Sequence, residues 1–196
     1  MSNAGVIAPT TERERAIATV VAGFIADPVT RWVYPDAQQY LTYFPRIVAA
    51  FGGQAFEHGC AYSAPEFAGV ALWLPPGVGP DGDAMGEVIA ESVSPALMDD
   101  LAGFGETQAA NHPHEAHWYL PLIAVDPAYQ GRGLGSALLS HATAIADEAG
   151  LPAYLEATNL NNRRLYERHG FEVVGEIQFG SSPTMYGMRR EPRKAN

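Results

Sequence analysis

The chain has a single cysteine, Cys60, among 196 residues. No intrachain disulfide can form, which fits a reducing compartment. Cys60 itself reads as a small buried apolar residue, the usual place of a free thiol, rather than as a nucleophile. No run of eighteen apolar residues exists, so no membrane span is expected. No basic-then-apolar leader opens the chain, and Ser2-Asn3-Ala4 reads as a remnant of tag cleavage. The cytoplasm is the expected location. Basic residues are few: 12 against 22 acidic ones, a net charge of −10. That excludes nucleic acid as an expected partner. It favours a cationic ligand such as an amine, although the same charge also serves solubility alone. A homodimer stays open.

With 47% hydrophobic residues, this length suits one domain with a full core. After a short segment at residues 1–8, a single domain is expected over 9–196. Ile17, Val20, Val21 and Phe24 recur at helical spacing behind Thr10 and Thr11, and Pro28 is expected to end that helix. A second helix is expected over 36–51, kinked or broken at Pro45. Two strands, 59–63 and 68–74, flank a turn at Pro65-Glu66. Residues 75–86 read as a loop, 87–104 as one or two helices around Pro95, and 109–115 as another loop. A strand over 117–125 follows, then a helix from Leu134 closed by Gly150 and Pro152. Further on come a strand over 153–158, a helix over 160–168 and two antiparallel strands over 171–179 and 184–190. Residues 5–8 read as a vestigial first strand. The class is α/β with one mixed sheet. The strands around the central helix are parallel neighbours joined by a right-handed crossover.

The most informative stretch is Gln130-Gly131-Arg132-Gly133-Leu134-Gly135. It lies between an apolar strand and a helix. The first amides of a helix lack internal partners and carry partial positive charge, and glycines let a backbone approach a phosphate. No lysine lies near, which excludes the phosphate loop of nucleoside triphosphatases. The dinucleotide fingerprint fails by position, because Ser136 and Leu138 stand where its third glycine would fall. Two readings remain: a phosphate-binding turn, or a tight turn with no ligand.

The remaining pattern, Gln-x-x-Gly-x-Gly, resembles the acetyl-CoA loop of the GCN5-related N-acetyltransferase (GNAT) superfamily. A second stretch is similar to that family's other CoA segment: Asn159-Leu160-Asn161-Asn162, then Leu165-Tyr166, then Gly170-Phe171. Residues 117–190 carry the resemblance best. Leu155-Glu156-Ala157-Thr158-Asn159 and Leu165-Tyr166-Glu167-Arg168-His169-Gly170-Phe171 resemble the branch that includes puromycin N-acetyltransferase. The N-terminal half resembles it more loosely, through Phe24-Ile25-Ala26-Asp27-Pro28 and Val70-Ala71-Leu72-Trp73.

The resemblance implies an N-acetyltransferase with acetyl-CoA as co-substrate, no metal, and a small-molecule amine as acceptor, by direct attack in a ternary complex. It implies a mostly antiparallel sheet splayed at a bulged central strand. Pro121, which cannot donate to a ladder, fits that bulge; the other reading starts the strand at Leu122. The implied cofactor residues are Ile123, Ala124, Val125, Gln130, Gly131, Arg132, Gly133, Leu134, Gly135, Ser136, Asn159, Asn162 and Tyr166. Asn159 also reads as a helix N-cap.

Amide formation from a thioester needs a deprotonated amine, donors for the oxyanion and a proton for the thiolate. Tyr166 is the candidate acid, with packing against Leu165 and Phe171 as the other reading. Many relatives place a glutamate base on the central strand, where this chain has Tyr119. Glu156, near a strand's C-terminal end, His117, or no dedicated base remain. His112, His114 and His117 read as a solvated loop rather than a metal site. The acceptor site is expected between the N-terminal helices, the 75–86 loop and the strand around Trp118, with Trp32, Tyr34, Phe44 and Trp73 as linings. Two other functions stay open: acetylation of protein or peptide amines, and a non-catalytic acyl-CoA sensor.

Overall fold

A computed structural model describes residues 5–193; the tag-like Ser2-Asn3-Ala4 lies outside the described residues. In chain order the elements are β1 (Ala8–Pro9), α1 (Arg13–Gly23), α2 (Pro28–Val33), α3 (Ala37–Gly52), α4 (Gln54–Glu57), β2 (Ala61–Ser63), β3 (Gly69–Leu74), α5 (Gly82–Ser92), α6 (Met98–Asn111), β4 (Trp118–Val125), α7 (Leu134–Ala149), β5 (Ala153–Ala157), α8 (Leu160–Arg168), β6 (Glu172–Ile177) and β7 (Met185–Arg190). The strands form one sheet in the order β1-β2-β3-β4-β5-β7-β6. Only β4 and β5 run parallel, with α7 as their crossover, and every other pair is antiparallel. The sequence-based α/β reading holds.

Four local expectations change. Pro28 does not end a helix; it opens α2 at the first helical position, where its missing N–H costs nothing. Asp27 caps that helix, its Oδ1 accepting from the amides of Val29 (3.1 Å) and Thr30 (3.0 Å). Asp36 caps α3 in the same way, and α3 runs unbroken through Pro45. The expected loop over 75–86 is shorter, because Asp81 caps α5 from Gly82 onward. Finally, α6 continues past Phe104 to Asn111. Cys60 is buried, and burial pushes its thiol pKa up.

Helices cover both faces of the sheet. On one face α1 and α3 bury Val20, Phe44 and Val48 against Leu72, Leu122 and Ala124. On the other, α7 and α8 bury Leu138, Leu139 and Tyr166 against Ala71, Leu120 and Leu155. The β3–β4 register shows the bulge expected at Pro121. Leu72 faces Leu122 and Leu74 faces Tyr119, so Leu120 and Pro121 together oppose Trp73. Two residues against one reverses the pleat. Tyr119 and Leu122, three apart, therefore join the same core layer.

The C-terminal strand is tied to α7 by a buried fork. Arg190 Nη1 and Nη2 donate to Asp147 Oδ1 and Oδ2 at 2.6 and 2.7 Å, and the arginine side chain is 4% exposed. The hydrogen bonds from Arg190 hold the Asp147 carboxyl below the usual aspartate value. Asp147→Ala strands a buried guanidinium and should cost about 3–5 kcal/mol at neutral pH in urea melts. A carboxyl lowered by folding stabilises above its unfolded pKa, about 3.9, and loses that contribution as pH falls through the folded value. The wild type should therefore lose stability over that acidic window and Asp147→Ala should lose less. Parallel pH profiles for the two proteins contradict the assignment.

Candidate active site

Strands β4 and β5 pair only at Trp118–Ala153, Tyr119–Tyr154 and Leu120–Leu155. From Pro121 onward they part. The gap opens on a cleft of about 930 Å³. Its walls include the freed β4 residues Ile123, Ala124 and Val125, the turn residues Gln130, Gly131 and Gly133, and the opening of α7, Leu134, Gly135 and Ser136. From α8 and its cap come Asn159, Asn162, Leu165 and Tyr166, and from the N-terminal half Phe24 and Asp27.

The turn is built for close approach. Gly131 and Gly133 have φ of 75° and 84°, which side-chain-bearing residues rarely adopt. No side chain caps α7, in contrast to α2, α3, α5 and α8. Its first amides therefore stand unclaimed by a cap at the cleft wall. Gln130 Nε2 donates to the Val125 carbonyl at 3.2 Å and ties the turn to β4. Ser136 Oγ lies 2.7 Å from His169 Nε2. Asn159 is the N-cap of α8, its Oδ1 accepting from the Asn162 amide at 2.9 Å. Arg132 does not line the cleft. It folds back, donating to the Ala128 carbonyl at 3.1 Å and stacking over Tyr129. Tyr166 is buried at the cleft and packs edge-on against Phe171. Burial, then the charge of Asp27, raises its hydroxyl pKa, so it keeps its proton at neutral pH.

A second pocket, of about 180 Å³, lies toward α2, α3, α5 and α6 and shares Phe24 and Asp27 with the cleft. Its walls are largely apolar: Val33, Phe44, Ile47, Phe51, Ile89 and Phe104 among others. The polar groups are Asp27, Thr30, Tyr34, Gln108, Glu156 and Thr158, and among the described residues no lysine or arginine lines it. Asp27 Oδ2 accepts from the Thr158 hydroxyl, joining α2 to the end of β5. The Glu156 side chain is 5% exposed. It accepts from the Tyr119 hydroxyl at 2.8 Å and from Gln108 Nε2 at 3.3 Å. Burial holds the Tyr119 pKa well above its ordinary value, so Tyr119 stays a donor.

His117 lines neither space. It sits in a third recess, of about 440 Å³, with Gly77, Val78, His112 and Tyr119. His112 and His117 are not a plain solvated loop, because their ring nitrogens meet at 3.1 Å and His112 packs edge-on against Tyr119 and Tyr154. Of the expected acceptor aromatics, Tyr34 and Phe44 line the second pocket. Trp32 packs on Phe104, and Trp73 is buried on the opposite face. Asp27, Thr158 and Gln108 were missed from the sequence. An aspartate directly before a proline is an N-cap and first-position signal that could have found Asp27.

The acetyltransferase (GNAT) family model matches residues 90–171. An uncharacterized N-acetyltransferase of Schizosaccharomyces pombe is 27% identical over 178 residues, covering 81% of this chain and 70% of that protein. A mycothiol acetyltransferase of Propionibacterium freudenreichii is 35% identical over 77 residues, 38% of this chain but only 25% of that protein. Among solved structures, a histone acetyltransferase HPA2 and related acetyltransferase from Corynebacterium glutamicum shares the fold, with a TM-score of 0.68, 24% identity, and 98% of this chain and 99% of that one covered. Arylalkylamine N-acetyltransferase 2 from Aedes aegypti shares it at 0.65 and 14% identity, over 96% and 99%. A family model over the glycine turn and central strands, a relative along most of the chain and a fold shared end to end all support membership of the acetyltransferase (GNAT) superfamily and an acyltransferase activity.

Proposed function

We propose that this enzyme moves an acetyl group from acetyl-CoA to the primary amine of a compact, largely apolar small molecule, by direct attack in a ternary complex. One observation carries the reading: the 930 Å³ cleft and the carboxylate-bearing pocket meet at the parted strands and share Phe24 and Asp27. The cleft fits acetyl-CoA chemically. An uncapped helix start behind two left-handed glycines suits a pyrophosphate. When bound, acetyl-CoA supplies a thioester whose carbonyl carbon accepts the amine and releases a thiolate.

In this reading the edge of the 123–125 backbone that faces away from β3 offers an amide to the carbonyl oxygen. Tyr166 gives its proton to the departing sulfur. Glu156 takes a proton from the amine, in a pocket where Asp27 is the second acid and no basic side chain competes. The volume and the four surrounding helices favour a compact amine over a protein or peptide chain, which needs an open groove, and over an aminonucleoside. A buried carboxylate beside the cleft also favours catalysis over a sensor that only binds acyl-CoA.

Three outcomes follow. Tyr166→Phe keeps the ring on Phe171 and loses only the hydroxyl. Its kcat should fall by about 10²–10⁴ with acetyl-CoA affinity nearly unchanged. Retention of more than about a third of kcat, where chemistry limits the rate, rules out the acid role. A Cβ at Gly135 meets only Leu165 at 3.4 Å and Val125 at 3.8 Å, so Gly135→Val should fold. It should crowd the turn and weaken acetyl-CoA by tenfold or more, about 1.4 kcal/mol, in calorimetry. Normal binding by the folded variant sinks the cofactor assignment. Glu156→Gln retains acceptors for Tyr119 but no base. It should lower kcat/KM for the amine by about 10² at neutral pH. An unchanged value removes Glu156 from the chemistry.

A further inference from the structure

An ammonium group is a far weaker proton donor to a carboxylate than the reaction needs. A carboxylate is a far weaker base than an alkylamine, so a carboxylate that takes the amine's proton must pass it on. Resting on the reading of Glu156 as base, we propose that His112 and His117 form a proton relay from Glu156 to solvent. The relay leaves through the third recess, away from both the cleft and the acceptor pocket.

The tautomers follow from the contacts. His117 Nδ1 lies 2.7 Å from the Glu115 carbonyl oxygen, which can only accept. Neutral His117 therefore carries its proton on Nδ1 and presents a bare Nε2. That Nε2 stands 3.1 Å from His112 Nε2, so His112 must be the donor and hold its proton there. Neutral His112 is then left with a bare Nδ1, and this nitrogen faces Glu156 Oε1 at 3.8 Å. A carbonyl two residues before His117 thus sets a lone pair toward the buried carboxylate. A proton arriving on Glu156 finds an acceptor facing it at 3.8 Å, which must close to hydrogen-bond distance for the transfer.

The transfers balance. The amine N–H breaks and a Glu156 O–H forms. That proton moves to His112 Nδ1, while the His112 Nε2 proton moves to His117 Nε2. His117, partly exposed in the 440 Å³ recess, releases its Nδ1 proton to water, and proton exchange with solvent restores the starting tautomers of both rings before the next turnover. The second proton lost by the amine re-protonates Tyr166 after thiol release, so one net proton leaves per turnover. The groups facing the histidine pair are Glu115, Glu156, Tyr119 and Tyr154, with His114 on the recess wall and Arg189 reaching Glu115 at 3.1 Å. Burial lowers the His117 pKa, which suits a site that releases protons near neutrality.

The test is the pH profile of kcat/KM for the amine, by thiol release, in wild type, His112→Phe and His117→Phe, with and without added imidazole. Both variants keep a ring against Tyr154. We expect both to fall by about tenfold or more near neutral pH. We also expect the deficit to close as pH approaches the amine's own pKa, imidazole to restore rate, and the KM for acetyl-CoA to stay unchanged. A deficit that is equal at every pH and blind to imidazole overturns the relay in favour of packing, as do unchanged variants. A wild type that releases no thiol with any amine overturns the transferase reading and the relay with it. An active wild type with unaffected histidine variants overturns the relay alone.

Discussion

The missing amide of Pro121 is the constraint on which the site depends. A parallel ladder needs donors at regular spacing, and β4 loses one at the fourth residue of the strand. Pairing with β5 stops at Leu120–Leu155, one residue earlier. On the other side, the ladder with β3 absorbs Leu120 and Pro121 as a bulge opposite Trp73. Two consequences follow from one residue. The strands part, leaving the backbone of 123–125 free toward the cleft. The pleat also reverses, placing the Tyr119 side chain in the layer that contains Leu122 and bringing its hydroxyl to Glu156. On the proposed reading the base therefore stands on the neighbouring strand, held by Tyr119.

Charge acts locally. The net charge of −10 is spread over the surface, and at physiological salt its influence fades beyond about 8 Å. Asp27 and Glu156 are different, because they are sequestered among apolar side chains with hydroxyls, amides and a histidine as partners. An unpaired buried carboxylate is costly, and neutral donors offset only part of that cost. On the proposed reading, a cationic amine supplies the missing opposite charge. The same pair accounts for the tyrosines that stay protonated around the gap, since burial and nearby negative charge both disfavour phenolate at Tyr119 and Tyr166.

The half of the fold legible in the sequence is the half whose signals are local. A strand, a glycine turn and a helix start are adjacent in the chain, so Gln130 to Ser136 could be read directly and do form one wall of the cleft, Arg132 apart. Asn159 could be read as a cap for the same reason. The acceptor side was harder. Here α2 is six residues long, and α6 interleaves Gly103, Gly105, Glu106, Thr107 and Gln108 with few apolar positions. Neither shows a strong helical stripe, so tertiary packing fixes them. Glu156 was placed by its strand end, but its partners come from positions 37, 44 and 48 residues away. The histidine pair was visible as a spacing and its meaning was not. Only the end of α6 at Asn111 turns His112 back over Tyr119 and Tyr154.

The geometry also separates the proposed acid from the proposed base. Tyr166 belongs to the layer under α7 and α8, and Glu156 bonds Tyr119 and Gln108 on the layer under α1, α3 and α6. The sheet stands between them except where β4 and β5 part. Were Tyr166 in the same pocket as Glu156, its proton would be drawn to the carboxylate rather than to the departing sulfur. Kept on opposite faces, each can act on its own side of a carbonyl carbon held in the gap. On the proposed reading the amine approaches from the helical side while the thiolate departs along the cleft. The parting of two strands thus gives the proposed reaction centre two entrances, and the bulge that opens them also positions Tyr119, which holds the proposed base.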